Sequence, residues 1–341
     1  MNRRYDIDWL RVIAIGLLLI YHTAIAFQPW GPLIGFITNN QSWESLWLPM
    51  TMLNVWRIPI LFFISGMGVC LAFRRKTWRQ LLQERFGRIL IPFLFGFFTI
   101  VPLQAYIAGC YYQQRTGYMP GAGHLWFLGN IFLYLLLLLP AFWFLKKSRH
   151  AVSLIQKIST SLLFPFMIMG VFMIETLIVQ PVLFELYAMT MHGFALGLTA
   201  FFFGFCFILG GDPFLRMLLK WRWLFLVMSL LLYACRLNGT GNTVIAAESV
   251  SWVFAVLAFG YHYLNRPGRL LRYLSQAAYP VYIVHMLFLY LASLLVFPMT
   301  MPVALKFILV LLLTCAGCFA FYGFVIRRIK LMRMLFGLKS E

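Results

Sequence analysis

The sequence predicts an all-α polytopic membrane protein with about ten transmembrane helices. Of its 341 residues, 62% are hydrophobic and only 11% are charged, a balance outside the range of soluble globular proteins. Apolar stretches repeatedly reach the roughly 20 residues that a helix needs to cross the hydrocarbon layer. The weak alternating pattern of a membrane barrel does not occur. The predicted spans are therefore helices.

Apolar length and the charged or Gly/Pro-rich breaks between stretches define the spans. The seventh span is short and could be tilted, kinked or mispaired with a neighbour, so nine or eleven spans remain open. No internal repeat or long linker is evident, and residues 1–341 are predicted to form a single integral-membrane domain. The predicted spans are 7–28, 47–73, 89–109, 124–145, 158–179, 190–210, 223–237, 243–264, 277–297 and 303–326.

Basic residues predict the orientation of these spans. The formal net charge is +19, and most of the 28 lysines and arginines precede span one or follow spans two, four, six, eight and ten. By the positive-inside rule, both termini are expected in the cytoplasm. The charge is thus explained by topology, and no nucleic-acid partner is predicted. The basic loops should attract anionic lipid head groups of the bilayer and phosphate-rich ligands.

The first span, DWLRVIAIGLLLIYH at residues 8–22, carries ionisable groups inside an apolar run. Arg11 and His22 are eleven positions apart, a rise of about 16 Å over about three turns, so both project from the same helix face. For Arg11 alone, an interfacial arginine paired with Asp8 is the favoured interpretation. The depth of His22 favours a functional pathway, with a structural histidine as the competing interpretation.

Further ionisable residues are predicted at membrane depth. Arg57 lies well inside span two and is expected to point inward toward a carboxylate or a substrate oxygen. Glu248 and Glu175 fall at a similar depth, and either could pair with Arg57 or orient the imidazole of His22; Glu248 is preferred. Lys306 is expected to snorkel at the outer face.

Three smaller expectations concern other residues in or near the spans. His124 and Trp126 fit interfacial anchors as well as ligands. Gly66 is expected to let two helices approach closely. No role is predicted for His192.

Several stretches in one order resemble the membrane-bound family 3 acyltransferases. Arg11-x10-His22 is similar to the Arg-x10-His signature of that family, and the similarity covers the whole chain. Within the family, the sequence looks closest to the branch that contains the osmoregulated-glucan succinyltransferases. The later stretches that agree are WRIPILFFISGMG (56–68), ERFGRILIPFLFG (84–96), HLWFL (124–128) and YPVYIVH (279–285).

This resemblance implies an acyl-CoA-dependent O-acyltransferase, multi-pass in the bacterial inner membrane. It would move an acetyl or succinyl group from cytoplasmic acetyl-CoA or succinyl-CoA to a hydroxyl of an extracytoplasmic glycan. His22 would be the general base, Arg11 would help to place the donor, and His285 would line the donor tunnel. Arg85 and Arg88 would hold the phosphates of coenzyme A, although plain positive-inside charge explains them equally well.

Arg57 and Glu248 complete the predicted catalytic set. No metal-ligand spacing such as HExxH occurs, so metal-free chemistry is expected. The competing class is a transporter or flippase for a polar or glycolipid substrate, because intramembrane Arg, Glu and His also mark transport paths. The sequence does not identify the acyl chain, the acceptor or the oligomeric state. It also leaves open whether the acyl group passes directly to the acceptor or first forms an acyl-enzyme.

Overall fold

The computed structural model describes residues 4–115 and 117–338. It is 80% helix, and the described residues contain no strand, which confirms the predicted fold class. The α-helices are α1 (Tyr5–Ile25), α2 (Trp47–Phe73), α3 (Trp78–Arg85), α4 (Ile91–Phe95), α5 (Val101–Tyr111), α6 (Trp126–Lys147), α7 (Arg149–Ile158), α8 (Leu163–Val179), α9 (Met191–Leu209), α10 (Asp212–Lys220), α11 (Arg222–Leu237), α12 (Asn242–Leu264), α13 (Arg269–Val296), α14 (Val303–Phe321) and α15 (Lys330–Leu335).

The described helices provide eight to ten candidate membrane spans. Eight helical runs are long and apolar enough to cross a bilayer, and two bent pairs would bring the count to ten if each is one span. Helices α7 and α8 meet at 96°, and α10 and α11 meet at 63°. The second bend explains why the seventh predicted span, 223–237, is short. That span corresponds to α11 alone, which is the second helix of the bent pair. The side of the membrane on which the termini lie stays a prediction.

Two helical runs extend beyond the predicted spans. The third run begins at Trp78 rather than at residue 89, and α13 begins at Arg269 rather than at residue 277. Both extensions are polar, so apolar length could not detect them. The third run also contains two π-helical segments, Phe86–Leu90 and Gly96–Ile100, and a third π segment, Tyr322–Ile326, follows α14.

The chain divides into two compact units. The first contains residues up to Arg11, then Asn54–Gln83 and Asn130–Gly268. The second contains Val12–Leu53, Glu84–Gly129 and the residues from Arg269 onward. The prediction that residues 1–341 act as one domain stays a prediction.

Close helix packing organises the first unit. A Cβ atom on Gly66 of α2 would lie 2.0 Å from the carbonyl oxygen of Phe201, so the backbones of α2 and α9 are in direct contact there. This contact confirms the expectation for Gly66. Nearby, the Phe63 and Phe207 rings stack with centroids 5.4 Å apart.

Three tyrosines hold the loop that follows α1 in the second unit. Tyr111, Tyr112 and Tyr290 donate to the carbonyl oxygens of Thr38, Phe36 and Gly35, at 3.0, 2.9 and 2.6 Å. Gly35 has φ of +84°, a left-handed conformation that glycine adopts without a steric penalty. The loop is thereby fixed against α5 and α13, beside the end of α1 that carries His22.

Candidate active site

Two imidazoles meet in the second unit. His22, three residues before the end of α1, lies with Nδ1 2.7 Å from Nε2 of His285 on α13. The rings are nearly parallel, at 16°, with centroids 5.0 Å apart. His285 is fully buried, whereas His22 is half-buried. The ring that retains exposure is therefore the one that the sequence predicts as the base.

A backbone carbonyl fixes the tautomers of this pair. Nδ1 of His285 lies 2.7 Å from the carbonyl oxygen of Tyr282, which can only accept, so Nδ1 carries the proton. In a neutral His285, Nε2 then accepts, and His22 must donate from its own Nδ1. The remaining nitrogen of His22, Nε2, holds the lone pair. This arrangement suits His22 to take a proton from a hydroxyl.

A third imidazole lies against the pair. His124 meets the His285 ring edge to face, at 87° with centroids 5.0 Å apart. Its Nε2 lies 3.0 Å from the carbonyl oxygen of Ile283, and Tyr282 Oη donates to the His124 carbonyl oxygen at 2.5 Å. Nδ1 of His124 is buried and has no hydrogen-bond partner among the described residues. These contacts hold the partly buried His124 against the imidazole pair, and its role as an interfacial anchor or a ligand stays a prediction.

Arg11 forms the local ion pair that the sequence suggests. Its Nη1 lies 3.6 Å from Oδ1 of Asp8, three residues earlier on α1. The side chain is 38% exposed. This pairing fits the interfacial interpretation, and a role in placing a donor stays a prediction.

Arg85 directly precedes the first π segment of the third run, and Arg88 lies inside that segment. Arg88 is exposed and pairs with Glu84 at 3.3 Å, while Arg85 is half-buried. The π turn that begins after Arg85 makes their angular spacing different from that of an α-helix.

A partly buried tyrosine, whose hydroxyl is buried, lies within electrostatic range of these two arginines. Tyr279 of α13 is close enough for the charges of Arg85 and Arg88 to act on its hydroxyl. That hydroxyl has no hydrogen-bond partner among the described residues. A buried polar group without a partner is costly, so a ligand oxygen would be accommodated favourably here. The sequence alone had not singled out Tyr279.

Arg57 is buried in the first unit, as expected for an inward-facing residue, with 1% of its surface exposed. Its Nη2 donates to Oδ1 of Asn54 at 3.2 Å, one turn earlier on α2. Asn54 in turn donates to the carbonyl oxygen of Glu185 at 3.4 Å.

Glu248 has a partner other than the two that the sequence predicts. Its carboxylate is bound by Arg236, with Nε 2.8 Å from Oε2 and Nη2 3.0 Å from Oε1, and by Trp252 Nε1 at 3.3 Å. Arg236 also binds Glu185 at 2.6 Å. A guanidinium on the adjacent helix α11 thus binds this carboxylate, a partner that the sequence did not suggest, and the expected pairing with Arg57 or with His22 stays a prediction. Arg236 lies at the end of the seventh predicted span, and the sequence did not single it out as a partner.

Glu175 likewise has a partner that the sequence did not suggest. Nδ1 of His192 lies 2.9 Å and 3.0 Å from its two carboxylate oxygens, and Nε2 of His192 lies 3.0 Å from the Phe184 carbonyl oxygen. Both side chains are buried in the first unit. The sequence contained one indication of this contact: Glu175 lies near the end of the predicted span 158–179, and His192 lies near the start of the next predicted span, 190–210.

Among the described residues, no group of three or more His, Cys, Asp or Glu side chains could hold a metal ion. The expectation of metal-free chemistry stays a prediction. Membrane-length helices and a tautomer-fixed imidazole pair define a multi-pass membrane protein with a candidate proton-transfer site.

Comparison with protein families identifies the chemistry of this class. A family model described as an acyltransferase domain matches residues 4–323, nearly the whole chain. The chain belongs to acyltransferase family 3 and is a membrane-bound enzyme. A search among curated proteins and a search among solved structures each found no match. Membership of the glucan succinyltransferase-like branch stays a prediction.

Proposed function

We propose that the protein is an acyl-CoA-dependent O-acyltransferase of the bacterial inner membrane. It moves an acetyl or succinyl group from cytoplasmic acyl-CoA to a hydroxyl of an extracytoplasmic glycan. The observation that carries this proposal is the His22–His285 pair, because the Tyr282 carbonyl leaves the proton-accepting lone pair on Nε2 of His22. Family membership supports acyl transfer as the class of reaction.

The proposed reaction follows from that lone pair. Nε2 of His22 takes the proton of the acceptor hydroxyl as its oxygen attacks the thioester carbonyl carbon. The C–S bond breaks, and the departing thiolate takes the proton back from the imidazolium, giving an ester and free coenzyme A thiol. His285 accepts from Nδ1–H of His22 throughout, so it orients the base and stabilises its charged form, as the carboxylate of a catalytic triad does.

The donor would be held at the other proposed subsite. The guanidinium groups of Arg85 and Arg88 suit the phosphates of coenzyme A, and the Tyr279 hydroxyl beside them offers a further donor. Arg11 is proposed to help place the acyl group. A thioester is already activated, so a positioned base and exclusion of water are sufficient contributions from the enzyme.

The test is transfer of labelled acyl groups from acetyl-CoA and succinyl-CoA to cell-envelope glycans in membranes of matched protein abundance. His22→Ala should lower the rate by about 10²–10⁴-fold, the usual contribution of a general base. His150→Ala is the matched control, because His150 is exposed. Equal labelling by wild type and His22→Ala would contradict the proposal, and a transporter would move its substrate without any thioester.

A further inference from the structure

Lys306 is a buried lysine that has no carboxylate partner among the described residues. It lies in the first turn of α14 and is only 6% exposed. The expectation that Lys306 snorkels at the outer face is therefore wrong, because its side chain is buried within the protein. Its Nζ donates to the Phe297 carbonyl oxygen at 2.8 Å and to Asn39 Oδ1 at 3.3 Å. Both acceptors are neutral, and an ammonium group has three N–H donors. Burial of such a charge is costly unless an anion compensates it.

Lys306 is one of the residues that line a cleft of about 470 Å³. Polar lining comes from Asn40, Gln41, Thr300 and Lys306. The volume lies in the usual range for small-molecule pockets. The N-terminus of the 19-residue helix α14 follows directly on the lining residue Pro302, and its dipole adds positive potential.

This cleft and the imidazole pair belong to the same unit and are connected by α13. His285 lies on that helix, and Phe297, which lines the cleft, directly follows its last residue. The twelve positions between them correspond to a rise of about 18 Å along the helix. A polymeric acceptor could therefore reach both places, whereas a single sugar could not.

We propose that the cleft binds an anionic group of the acceptor, a carboxylate or phosphate, with Lys306 as its countercharge. The bound group anchors the acceptor chain while a hydroxyl further along it reaches His22. Binding of the anion stands on Lys306 and the cleft alone; its assignment to the acceptor rests on the proposed function. A phospholipid head group carries the same kind of anionic group, so the experiment has to distinguish a bound phospholipid from a bound acceptor.

Calorimetric titration of the purified protein in neutral detergent tests the anion site. Glucuronate and glucose form the probe pair, since they differ by a carboxylate. Wild type should bind glucuronate at least about tenfold more tightly than glucose, a difference of 1.4 kcal/mol. Lys306→Met should abolish this preference and Lys306→Arg should retain it, while Lys157→Met, at an exposed lysine, should behave as wild type.

A second variant covers the case in which Lys306→Met does not fold. Gln41 is exposed, so Gln41→Glu can be made without disturbing the core, and its added carboxylate should repel the probe and remove the preference. Absence of any preference in wild type, or a preference that survives in folded Lys306→Met or in Gln41→Glu, would overturn the proposal.

Two further titrations are needed. The first distinguishes an acceptor glycan from a phospholipid as the source of the anion, and the second tests whether anion binding is independent of the proposed catalytic function. Soluble short-chain phosphatidylglycerol that displaces glucuronate at lower concentrations than a glucuronate-containing oligosaccharide would overturn the acceptor assignment. The reverse order supports it. His22→Ala should bind glucuronate as wild type does. The glucuronate-binding result therefore holds even if the acyl-transfer assay contradicts the proposed role of His22. Conversely, failure to bind glucuronate would not affect the outcome of the His22 acyl-transfer assay.

Discussion

In each unit a histidine contacts a second ionisable side chain, and the two partners give His192 and His22 different properties. In the first unit, both nitrogens of His192 face acceptors, the Glu175 carboxylate and the Phe184 carbonyl oxygen. In the second unit, Nδ1 of His22 faces another imidazole whose tautomer is fixed by a carbonyl. Both nitrogens of His192 therefore have partners within the first unit, a carboxyl group and a backbone carbonyl, whereas the neutral His22–His285 pair places a lone pair on Nε2 of His22. The reactivity of a membrane histidine is set by what its neighbours accept or donate, and not by its depth.

The largest expected effect separates the two histidines by activity. His22→Gln keeps a side-chain N–H that can donate to His285, but it removes the base, so acyl transfer should fall by about 10³-fold, within the range for general bases. His192→Gln should change the rate per folded molecule by less than about threefold, since no reacting group is lost. The measurement is the initial rate of labelled acyl transfer for both variants and wild type, at equal concentrations of folded protein. A comparable loss of rate in both variants would remove the distinction.

The second effect separates them by stability. Glu175→Gln leaves His192 without its buried charged partner and should lower the free energy of unfolding by about 3 kcal/mol, the scale for breaking a buried ion pair. His22→Gln should cost less than about 1 kcal/mol, because its ring is only half-buried and no ion pair is broken. Unfolding curves in mixed micelles, followed by helical circular dichroism, give both values.

Glu84→Gln is the matched control for this measurement, because its pair with Arg88 involves a side chain that is 47% exposed. A loss of stability in Glu84→Gln as large as in Glu175→Gln would show that the detergent, and not the buried pair, determines the result.

Particular residues show how far sequence could reach. The apolar runs, the resemblance to family 3 and the depth of His22 predicted the fold class and the base. The contact between His22 and His285 joins positions 263 apart, which no local pattern reveals. The pairing of Glu248 with Arg236 joins two neighbouring helices, and the position of Arg236 at the end of the seventh predicted span gave no indication of this contact. The π segments were missed because they depend on packing and leave no simple residue periodicity.

A third, intermediate effect tests the support that distinguishes His22. His285→Leu removes the acceptor for Nδ1–H of His22 and should lower the rate by about 10- to 100-fold, less than loss of the base itself. His285→Gln offers a carbonyl oxygen as a replacement acceptor and should recover part of the rate. The pH–rate profile adds a readout that a structural role would not move: the leucine variant should shift its acidic limb. Equal rates and identical profiles for both variants would reduce His285 to a packing residue.

The smallest expected effect concerns the third imidazole of the second unit. His124 contacts His285 through ring packing, and its buried Nδ1 has no hydrogen-bond partner among the described residues. His124→Phe keeps the edge-to-face contact and removes that unpartnered nitrogen, while it also gives up the Nε2 contact with the Ile283 carbonyl oxygen at 3.0 Å. These terms oppose each other, so the rate should fall by less than about fivefold and stability should change by about 1 kcal/mol at most. A fall as large as that in His22→Gln would mean that His124 itself exchanges protons with the substrate, and the second unit would then contain two bases rather than one base with two supporting rings.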